Sequence, residues 1–325
     1  LPICMPFGQL MEWVLQEKSG KDTVFGVHRP YTINADHNLT IFERNLETPV
    51  GPAAGPHTQL AQNIIASYYA GARFFELKTV QKMDGAELSA CVNKPCILAD
   101  DEGYNCEWST ELTVPDAMSE YIKAWFILHV MAKEFNLGAQ DGFQFNISVG
   151  YDLEGIKGDK VNTFIDGMME AKDTAVFQEC KKWLLDNADR FHNFTREDIE
   201  AIPSDVCNSA TISTLHGCPP QEIESIANYL LTEKHLNTFV KCNPTLLGYD
   251  FARKTMDEMG YDYMVFGDFH FRDDLQYEDA VPMLTRLMKL SEELGLEFGV
   301  KITNTFPVDV TRNELPSEEM YMSGK

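Results

Sequence analysis

The stretch that decides the fold is residues 47–80, "ETPVGPAAGPHTQLAQNIIASYYAGARFFELKTV". A short strand-like segment leads into a turn rich in Gly and Pro, a helical pattern follows, and a second apolar segment begins after Gly71. This order of strand, turn, helix and strand is that of a βαβ unit, whose strands are parallel. We therefore expect an α/β protein, with one strand before the turn and a second over residues 73–80.

The same alternation continues along the chain. A helix is expected at about 116–135, the charged region 160–200 is expected to be helical, and a long helix is expected at about 277–294. Further strand candidates are "FQFNIS", "SATIST", "NTFVKC", "YDYMVFGDF" and "EFGVKIT". Polar residues at the carboxyl ends of these strands favour a barrel over an open sheet. The predicted fold is an α/β (β/α)8 TIM barrel that is incomplete in this chain, because the strands run out before it closes.

Composition limits the partners. The 325 residues include 50 Asp and Glu against 27 Lys and Arg, a net charge of −23. That excess argues against a nucleic-acid surface and against an anionic membrane. No apolar run approaches the roughly 20 residues of a membrane helix, and the amino-terminal segment lacks the features of a signal peptide. Eight cysteines without a regular framework complete the expectation of a reduced, cytoplasmic protein.

We expect three parts in the full protein. Residues 1–45 form an amphipathic amino-terminal extension, and residues 46–325 form the incomplete barrel, interrupted by an irregular insertion at 84–116. The chain stops at "LPSEEMYMSGK", so the remaining strands are expected beyond it.

Several common cofactor motifs are missing. The turn "GPAAGP" has prolines where a dinucleotide-binding turn needs free backbone donors, and no P-loop is present. Cys91, Cys96 and Cys106 match no zinc spacing, so no metal site is predicted.

Polar side chains at the strand ends are the candidates for a site. A barrel gathers the carboxyl ends of its strands at one face, where loops build the active site. The candidates are Lys78, Asn146, Ser148, Thr211, Ser213, Lys241, Asn243, Thr303, Asn304 and Thr305. Lysines beside Asn, Ser and Thr suit an anionic or carbonyl-rich planar ring. A single lysine at a strand end is more often structural, and Lys78 or Lys241 could instead form the Schiff base of a lyase.

Cys218 follows a strand in "STLHGCPP" and precedes a helix. The thiol could donate a proton, act as a nucleophile or be a buried apolar group. His216 is two residues away, but the sequence assigns no Asp or Asn to orient it, so a Cys/His nucleophile is weakly supported.

The order of these motifs resembles a known superfamily. "TPVGPAAG", "ELKTVQ", "STLHGC", "FVKCNP" and "TNT" follow one another as in the FMN-dependent dihydroorotate and dihydropyrimidine dehydrogenases. Over essentially the whole chain, "TPVGPAAGPHTQLAQNI", "SVGYDLEGIK", "NPTLLGY" and "EEMYMSG" resemble the amino-terminal part of the bacterial YgfK-type family, whose members are described as selenate reductase subunits.

The resemblance implies a barrel with FMN at its carboxyl-terminal mouth. The residues that it places at the cofactor are Ala53, Ala54, Gly55, Lys78, Lys241, Asn304 and Thr305. A positive charge from lysine would stabilise reduced, anionic flavin. The resemblance makes Cys218 the catalytic residue that exchanges a proton with the substrate ring while the flavin exchanges hydride.

The resemblance also implies a ring substrate, with departures from the superfamily. The residues placed at the substrate are Ser109, Asn146, Thr211, Ser213 and Asn243. Thr211 and Ser109 stand where the relatives have substrate-binding Asn, so the set of residues that recognises the ring is altered. The resemblance to the YgfK-type family makes a purine-like ring a candidate substrate beside a pyrimidine. Strand six has two candidates, "YDYMVFGDF" by spacing and the strand before Thr303 by motif.

Further cofactors and partners are expected outside this chain. The FMN phosphate site of the relatives lies beyond residue 325, and iron–sulfur and FAD/NAD(P)H modules follow the barrel in the family. These modules are the expected partners of an NAD(P)H-linked reductase that acts on a C=C or C=N bond. The alternative to this reductase, besides a lyase, is a barrel without catalysis that serves as a docking module in the same complex.

Overall fold

The computed structural model describes residues 4–31, 39–87, 104–105, 112–213, 217–304, 306–309, 311 and 319–322. Its helices are α1 (Phe7–Lys21), α2 (Ala61–Ala70), α3 (Val114–Glu134), α4 (Leu153–Lys157), α5 (Asp159–Met169), α6 (Ala175–Asp186), α7 (Arg196–Ala201), α8 (Pro220–Thr232), α9 (Tyr249–Glu258), α10 (Phe269–Asp273) and α11 (Tyr277–Leu294). Its strands are β1 (Leu39–Ile41), β2 (Arg44–Leu46), β3 (Phe74–Glu76), β4 (Tyr104–Asn105), β5 (Gln144–Val149), β6 (Ser209–Ile212), β7 (Asn237–Cys242), β8 (Phe298–Ile302), β9 (Phe306–Asp309) and β10 (Glu319–Met322). Short 3-10 turns lie at Pro56–Thr58, Ala188–Arg190 and Pro244–Leu247.

The chain divides into two compact units. The first contains Leu1–Val80, Leu112–Ser148 and Gly158–Ser209, and the second contains Gln81–Glu111, Val149–Lys157 and Ala210–Lys325. Both units contain parallel strands joined through helices. The expected α/β class is confirmed.

The core of the first unit is built around α3 and β5. All six residues of β5 are buried, and β5 runs parallel to β3, with Phe74 opposite Gln144. Thr113 caps α3 by accepting a hydrogen bond from the Asp116 amide, and almost every residue from 117 to 132 is buried. Although α3 is long, no helix of the described residues combines the length and apolarity needed to cross a membrane.

A buried ion pair joins the start of β3 to this core. The Arg73 side chain is fully buried, and its Nε donates to Glu47 Oε2 at 2.8 Å. Its remaining nitrogens donate to the backbone carbonyls of Tyr68, Ala72 and Leu137, each at 2.9 Å. A buried guanidinium is tolerable because these acceptors replace its water.

The predicted first strand differs from a regular strand. Residues 48–52 lie alongside β3, where the Val50 carbonyl accepts from Phe74 N at 3.3 Å and the Pro52 carbonyl accepts from Glu76 N at 3.2 Å. Pro52 has no N–H to return a bond, so the ladder is one-sided. Gly51 is required here, because a Cβ at this position would lie 1.5 Å from the Phe74 carbonyl oxygen. Strand β3 itself is shorter than the predicted 73–80.

A hairpin covers the amino-terminal end of β5. Strands β1 and β2 pair antiparallel, with Ile41 opposite Arg44. Gln144, the first residue of β5, is buried, and its amide nitrogen lies within 3.2 Å of the carbonyls of Ile41, Arg44 and Asn45. One side chain therefore fixes the hairpin to the strand.

The second unit holds the strand order β6–β7–β8. Strands β7 and β8 are parallel, with Thr238 opposite Phe298 and Cys242 opposite Ile302. A separate antiparallel sheet has the order β4–β10–β9. Helix α8 begins with two prolines, which are favourable in a first helical turn. Glu224 of α8 accepts two hydrogen bonds from Arg286 of α11, at 2.7 and 2.8 Å.

The prediction of a strand at "YDYMVFGDF" is wrong. Residues 261–268 form no strand or helix, and the structure describes every residue between β7 and β8. Arg253 binds the carbonyls of Met264 and Tyr261, at 2.7 and 3.1 Å, and the Val265 carbonyl accepts a hydrogen bond from the Asp309 amide of β9 at 2.8 Å. Phe266 packs with Ala252 and Phe271 in a small cluster. The strand that precedes Thr303 therefore follows β7 directly in the sheet, and no extra βα unit intervenes.

Candidate functional site

The predicted site residues fall into one group in each unit. The first unit holds Ala53, Ala54, Gly55, Lys78 and Asn146. The second unit holds Thr211, Ser213, Cys218, Lys241, Asn243 and Asn304. Ser109, Thr305, His216 and the three cysteines Cys91, Cys96 and Cys106 lie outside the described residues. The contacts within each unit are therefore considered separately.

The 53–55 turn of the first unit is closed by two hydrogen bonds. The Ala54 amide donates to Glu76 Oε2 at 2.8 Å, and the Gly55 amide donates to Thr58 Oγ1 at 3.1 Å. Glu76 is 5% exposed and Thr58 is fully buried. Because these amides already have protein acceptors, a planar cofactor would meet this turn through Ala53, which is exposed, or through carbonyl oxygens and van der Waals surface.

Two contacts hold the backbone of Lys78 in place. Its carbonyl accepts from the Tyr121 hydroxyl of α3 at 3.0 Å, and its amide lies 3.5 Å from the Thr58 carbonyl. The Lys78 side chain is half-buried, whereas Asn146 on β5 is completely buried. Lys78 thus presents a charge at the end of β3 on a backbone that the core holds in place.

In the second unit, the ends of β6 and β7 meet through their side chains. Lys241 Nζ donates to Ser213 Oγ at 3.4 Å, and both residues are half-buried. The Ser213 amide in turn donates to the Val149 carbonyl at 2.8 Å. Thr211 lies two residues before Ser213 and is 1% exposed. Lys241 and Ser213 form a donor pair with access to solvent, and the substrate role of Thr211 stays a prediction.

The ends of β7 and β8 meet in the same way. Asn304 Nδ2 donates to Asn243 Oδ1 at 2.8 Å, and the Asn304 amide donates to the Cys242 carbonyl at 3.1 Å. The Thr303 hydroxyl donates to that same carbonyl at 2.8 Å. Thr303 and Asn304 therefore bind the end of β7, where the amide side chains of Asn304 and Asn243 meet.

The 217–220 turn carries Cys218. Gly217 has φ +83°, a left-handed conformation that favours glycine. Its amide donates to Asp274 Oδ1, and the other carboxylate oxygen, Oδ2, accepts from the Thr245 hydroxyl at 2.6 Å. Asp274 is 4% exposed. One buried carboxylate thus ties the Cys218 turn to the 3-10 turn that follows β7.

The described free cysteines differ in burial. Cys180, Cys207 and Cys242 are buried, whereas Cys4 and Cys218 are half-buried. Burial raises the pKa of the Cys242 thiol, and it raises the pKa of Cys207 to about 12. These two thiols therefore remain protonated apolar groups at neutral pH. Cys218 is the predicted catalytic cysteine, and its position on a turn keeps it open to a ligand.

Two residues that organise the site were missed from the sequence. Glu76 closes the 53–55 turn and Asp274 holds the 217–220 turn. A carboxylate inside the apolar segment "RFFELKTV" was a usable signal for Glu76, since a buried charge needs a partner. Asp274 lies in "RDDLQ", where nothing distinguishes it from a solvent-exposed acid.

The donor set fits a flavin better than a metal ion. Among the described residues, no group of three or more His, Cys, Asp or Glu side chains could hold a metal. A lysine, a serine hydroxyl and two amide groups are hydrogen-bonding partners for the polar edge of a planar heterocycle. The second unit therefore offers chemistry that would hold an isoalloxazine ring.

Comparison with known proteins identifies relatives over the whole chain. The family model described as "Oxidoreductase YgfK, N-terminal TIM-barrel domain" matches residues 25–325. "Putative oxidoreductase YgfK" of Escherichia coli (strain K12) is 45% identical over 335 aligned residues, which cover 99% of this chain and 32% of the relative. The protein of the same name from Escherichia coli O157:H7 gives the same values, 45% identity with 99% and 32% coverage. The chain thus spans about a third of the length of these relatives.

The similarity to solved structures is more distant. Ligand-free DHODH from Eimeria tenella superposes with a TM-score of 0.40 at 11% identity, covering 89% of this chain and 80% of that chain. DHODH from the same organism in complex with ferulenol gives a TM-score of 0.40 at 12% identity, covering 92% of this chain and 81% of that chain. Superpositions at this level carry no argument, so the barrel assignment rests on the family match.

Proposed function

This chain belongs to the family of the amino-terminal TIM-barrel domain of oxidoreductase YgfK, and from that membership we propose that it is the FMN-binding, ring-reducing barrel of a larger flavoprotein. The reaction is the two-electron reduction, or the reverse oxidation, of a C=C or C=N bond in a purine- or pyrimidine-like ring. The family match supports the TIM barrel and the oxidoreductase class. The ring chemistry is inferred from the site residues.

The observation that carries the proposal is the network at the ends of β6, β7 and β8. Lys241 contacts Ser213, Asn304 contacts Asn243, and Asp274 joins the Cys218 turn to the turn after β7. These are side chains of three neighbouring strands, and each meets a partner at the carboxyl end of its strand. In a TIM barrel that end is the catalytic face.

Lys241, Ser213, Asn243 and Asn304 are the residues of the second unit that would hold FMN. For the first unit, the cofactor roles of the 53–55 turn and Lys78 rest on the family resemblance alone. When bound, FMN supplies hydride to the substrate ring. The lysine charge favours the anionic form of the reduced cofactor, which lowers the free-energy cost of accepting electrons at this position.

Cys218 supplies the proton. Reduction of a C=C or C=N bond adds a hydride to one atom and a proton to its neighbour, so the ring gains two electrons and two hydrogens. A half-buried thiol on a turn can reach a bound ring and donate that proton, and the thiolate is then reprotonated from solvent. Asp274 keeps the turn in place by holding the Gly217 amide.

Electron delivery is proposed to come from the remainder of the full-length protein. The relatives are about three times longer than this chain, which covers 32% of them. We propose that iron–sulfur and FAD/NAD(P)H modules in that remainder carry electrons to the barrel. A cytoplasmic location and a role in selenate reduction belong to this proposal as well.

The test uses full-length protein purified without oxygen. The protein is reduced with NADPH or NADH and then mixed with uracil, orotate or hypoxanthine, while flavin absorbance and product mass are followed. We expect one of these rings to speed flavin reoxidation and to gain two hydrogens. If NAD(P)H reduces FAD alone and no ring speeds reoxidation, the barrel is not the reducing centre.

A parallel measurement separates the lyase alternative. Borohydride is added to full-length protein in the presence of a carbonyl-bearing ring, and Lys78 and Lys241 are examined by peptide mass. The reductase account predicts no trapped adduct at either lysine. A trapped adduct would identify a Schiff base and replace the proposal.

A further inference from the structure

The first unit contains a cavity that the proposed reaction does not use. It has a volume of about 370 Å³, which lies within the range of small-molecule sites. It lies between the β1–β2 hairpin, the carboxyl-terminal half of α3, the segment before β5 and the segment after α7. The lining residues are Glu43, Arg44, Asn45, Trp125, His129, Gln140, Asp141, Phe143, Ala201, Pro203 and Asp205. Since Phe143 directly precedes β5, the cavity is at the amino-terminal end of that strand.

Three aromatic rings form the inner wall. Trp125 and His129 are 4.6 Å apart between ring centroids at 78°, Trp125 and Phe143 are 5.1 Å apart at 64°, and His129 and Phe143 are 5.0 Å apart at 59°. Each pair is closer to edge-to-face than to stacked. A planar aromatic guest could therefore stack on one ring while meeting another edge-on, which is the favoured geometry for both contacts.

His129 gives this wall an unused hydrogen-bonding capacity. The residue is 3% exposed, and within the described residues neither ring nitrogen has a hydrogen-bond partner. Trp125, in contrast, uses its indole N–H, which donates to the Pro203 carbonyl at 2.9 Å. A buried polar group without a partner is costly. Because the imidazole lines the cavity, a ligand bound there could supply the missing partner.

The charges at the rim disfavour an anion. Three carboxylates line the cavity, from Glu43, Asp141 and Asp205, against the single guanidinium of Arg44. That guanidinium is already paired with Asp205, at 2.6 Å. Burial holds the pKa of His129 well below its usual range, at about 3, so the imidazole is neutral near pH 7 and offers one donor and one acceptor.

We propose that this cavity is a second ligand site, for a neutral planar heteroaromatic molecule that carries both a ring N–H and a ring nitrogen acceptor. The aromatic wall supplies contact area, and His129 exchanges hydrogen bonds with the polar edge of the ligand. The site takes no phosphate or carboxylate, because the rim already has an excess of negative charge. The inference is independent of the ring-reducing function, since it involves none of the residues assigned to that function.

The probe is benzimidazole, which has the required donor and acceptor and is neutral at pH 7.5. Binding to the full-length protein is measured by titration calorimetry and by saturation-transfer NMR. Indole, which lacks the acceptor, and benzoate, which is an anion, serve as comparison ligands. We expect saturable binding of benzimidazole, weaker binding of indole and no binding of benzoate.

Two variants place the binding in this cavity. His129→Phe keeps an aromatic ring but removes both hydrogen-bonding atoms, and we expect it to weaken benzimidazole binding by about tenfold. Ala201→Trp fills the cavity from the exposed end of α7 and should abolish binding. Ala175→Trp, at an exposed alanine of α6 that does not line the cavity, is the matched control and should leave the dissociation constant unchanged.

The outcomes that overturn the proposal are specific. No saturable binding of benzimidazole to the wild-type protein would end it. Equal binding in the wild type and Ala201→Trp would place the ligand elsewhere, and tight binding of benzoate would contradict the charge argument. If one variant fails to fold, the other still decides, because the two act on different sides of the cavity.

Discussion

Two turns between a strand and a helix carry predicted site residues, and they are held in different ways. The 53–55 turn is fixed from within the βαβ unit. The side chains of Glu76 and Thr58 accept hydrogen bonds from the amides of Ala54 and Gly55. The 217–220 turn is held by Asp274, which lies more than fifty residues away in sequence and also binds Thr245. The first turn rests on two buried acceptors, and the second presents a half-buried thiol.

The difference teaches where this chain places rigidity and where it places reactivity. A turn whose amides are bound to buried acceptors can position a planar cofactor but has little capacity for chemistry. A turn with an accessible thiol can exchange protons, provided that a remote carboxylate holds it in register. Changing the first turn should therefore alter stability, and changing the second should alter rate.

The largest effect is expected from Cys218→Ala. If the thiol is the proton donor, its loss slows flavin reoxidation by the ring substrate by about 10²- to 10⁴-fold. Reduction of the flavins by NAD(P)H should proceed at the wild-type rate, because that step does not use the thiol. Stopped-flow absorbance of the full-length protein measures both steps. An unchanged reoxidation rate would remove Cys218 from the mechanism.

Glu76→Ala tests the supporting turn. It leaves the half-buried Ala54 amide without its charged acceptor, and we expect unfolding to become easier by about 1–2 kcal/mol. Glu76→Gln is the matched control, since its amide oxygen can still accept, and it should cost less. Urea denaturation measures the change. Equal stability of Glu76→Ala and the wild type would show that the 53–55 turn does not depend on this bond.

His129 differs from Glu76 within the first unit. Glu76 accepts a hydrogen bond from Ala54, whereas the ring nitrogens of His129 have no hydrogen-bond partner among the described residues. Its pKa is lowered by burial to about 3 in the folded protein, whereas the unfolded value is about 6.5. The unfolded state therefore binds the proton first, so the stability is complete above about pH 6.5 and is lost as the pH falls toward 3. At pH 5 the loss is about 2 kcal/mol from this residue alone.

His129→Phe should remove that part of the pH dependence. The groups across the cavity, Glu43, Arg44, Asp141 and Asp205, remain in the variant, so they are common to both proteins. Urea midpoints at pH 7.5 and pH 5 measure the difference. The same pH dependence in wild type and variant would mean that His129 is protonated in the folded protein.

The smallest effect is expected from Asp274→Asn. The amide keeps one oxygen acceptor and loses the charge and the second acceptor, so the Cys218 turn loosens without unfolding. We expect ring-dependent reoxidation to fall by about tenfold, as for the loss of one hydrogen bond to a charged group. The alkylation rate of Cys218 by iodoacetamide should change in parallel. A stability loss with unchanged rate and alkylation would make Asp274 structural only.

Local patterns predicted the secondary structure well where packing agreed with them. The helix expected at 116–135 is Val114–Glu134, and the helix at 277–294 is Tyr277–Leu294. The strand expected at "YDYMVFGDF" does not form. Arg253 and a small aromatic cluster hold that segment, and one hydrogen bond from Asp309 of β9 to the Val265 carbonyl does not make a strand ladder. These contacts depend on Arg253, which lies outside the segment on helix α9, so no pattern within the segment predicts them.

The sequence predicted the residues that carry the proposed chemistry, but not the residues that hold the turns in place. Strand-end position and family resemblance pointed to Lys241, Asn243, Asn304 and Cys218, and the contacts of the two amides and of Lys241 with Ser213 bring the strand ends together. Glu76 and Asp274 accept hydrogen bonds from backbone amides of residues that are distant in sequence. Such contacts depend on the tertiary structure, so the sequence alone does not predict them. The cavity beside His129 depends on four separate segments, so its existence could not be derived from any one of them.

The most direct test of the account is the FMN content of the full-length protein and of its Lys241→Met variant. Lys289→Met, at an exposed lysine on α11, is the matched control. Flavins are released by denaturation and separated by chromatography. The account predicts FMN in addition to FAD in the wild type and the control, with FMN lost from Lys241→Met and FAD retained. FAD without FMN in the wild type, or full FMN in Lys241→Met, would contradict it.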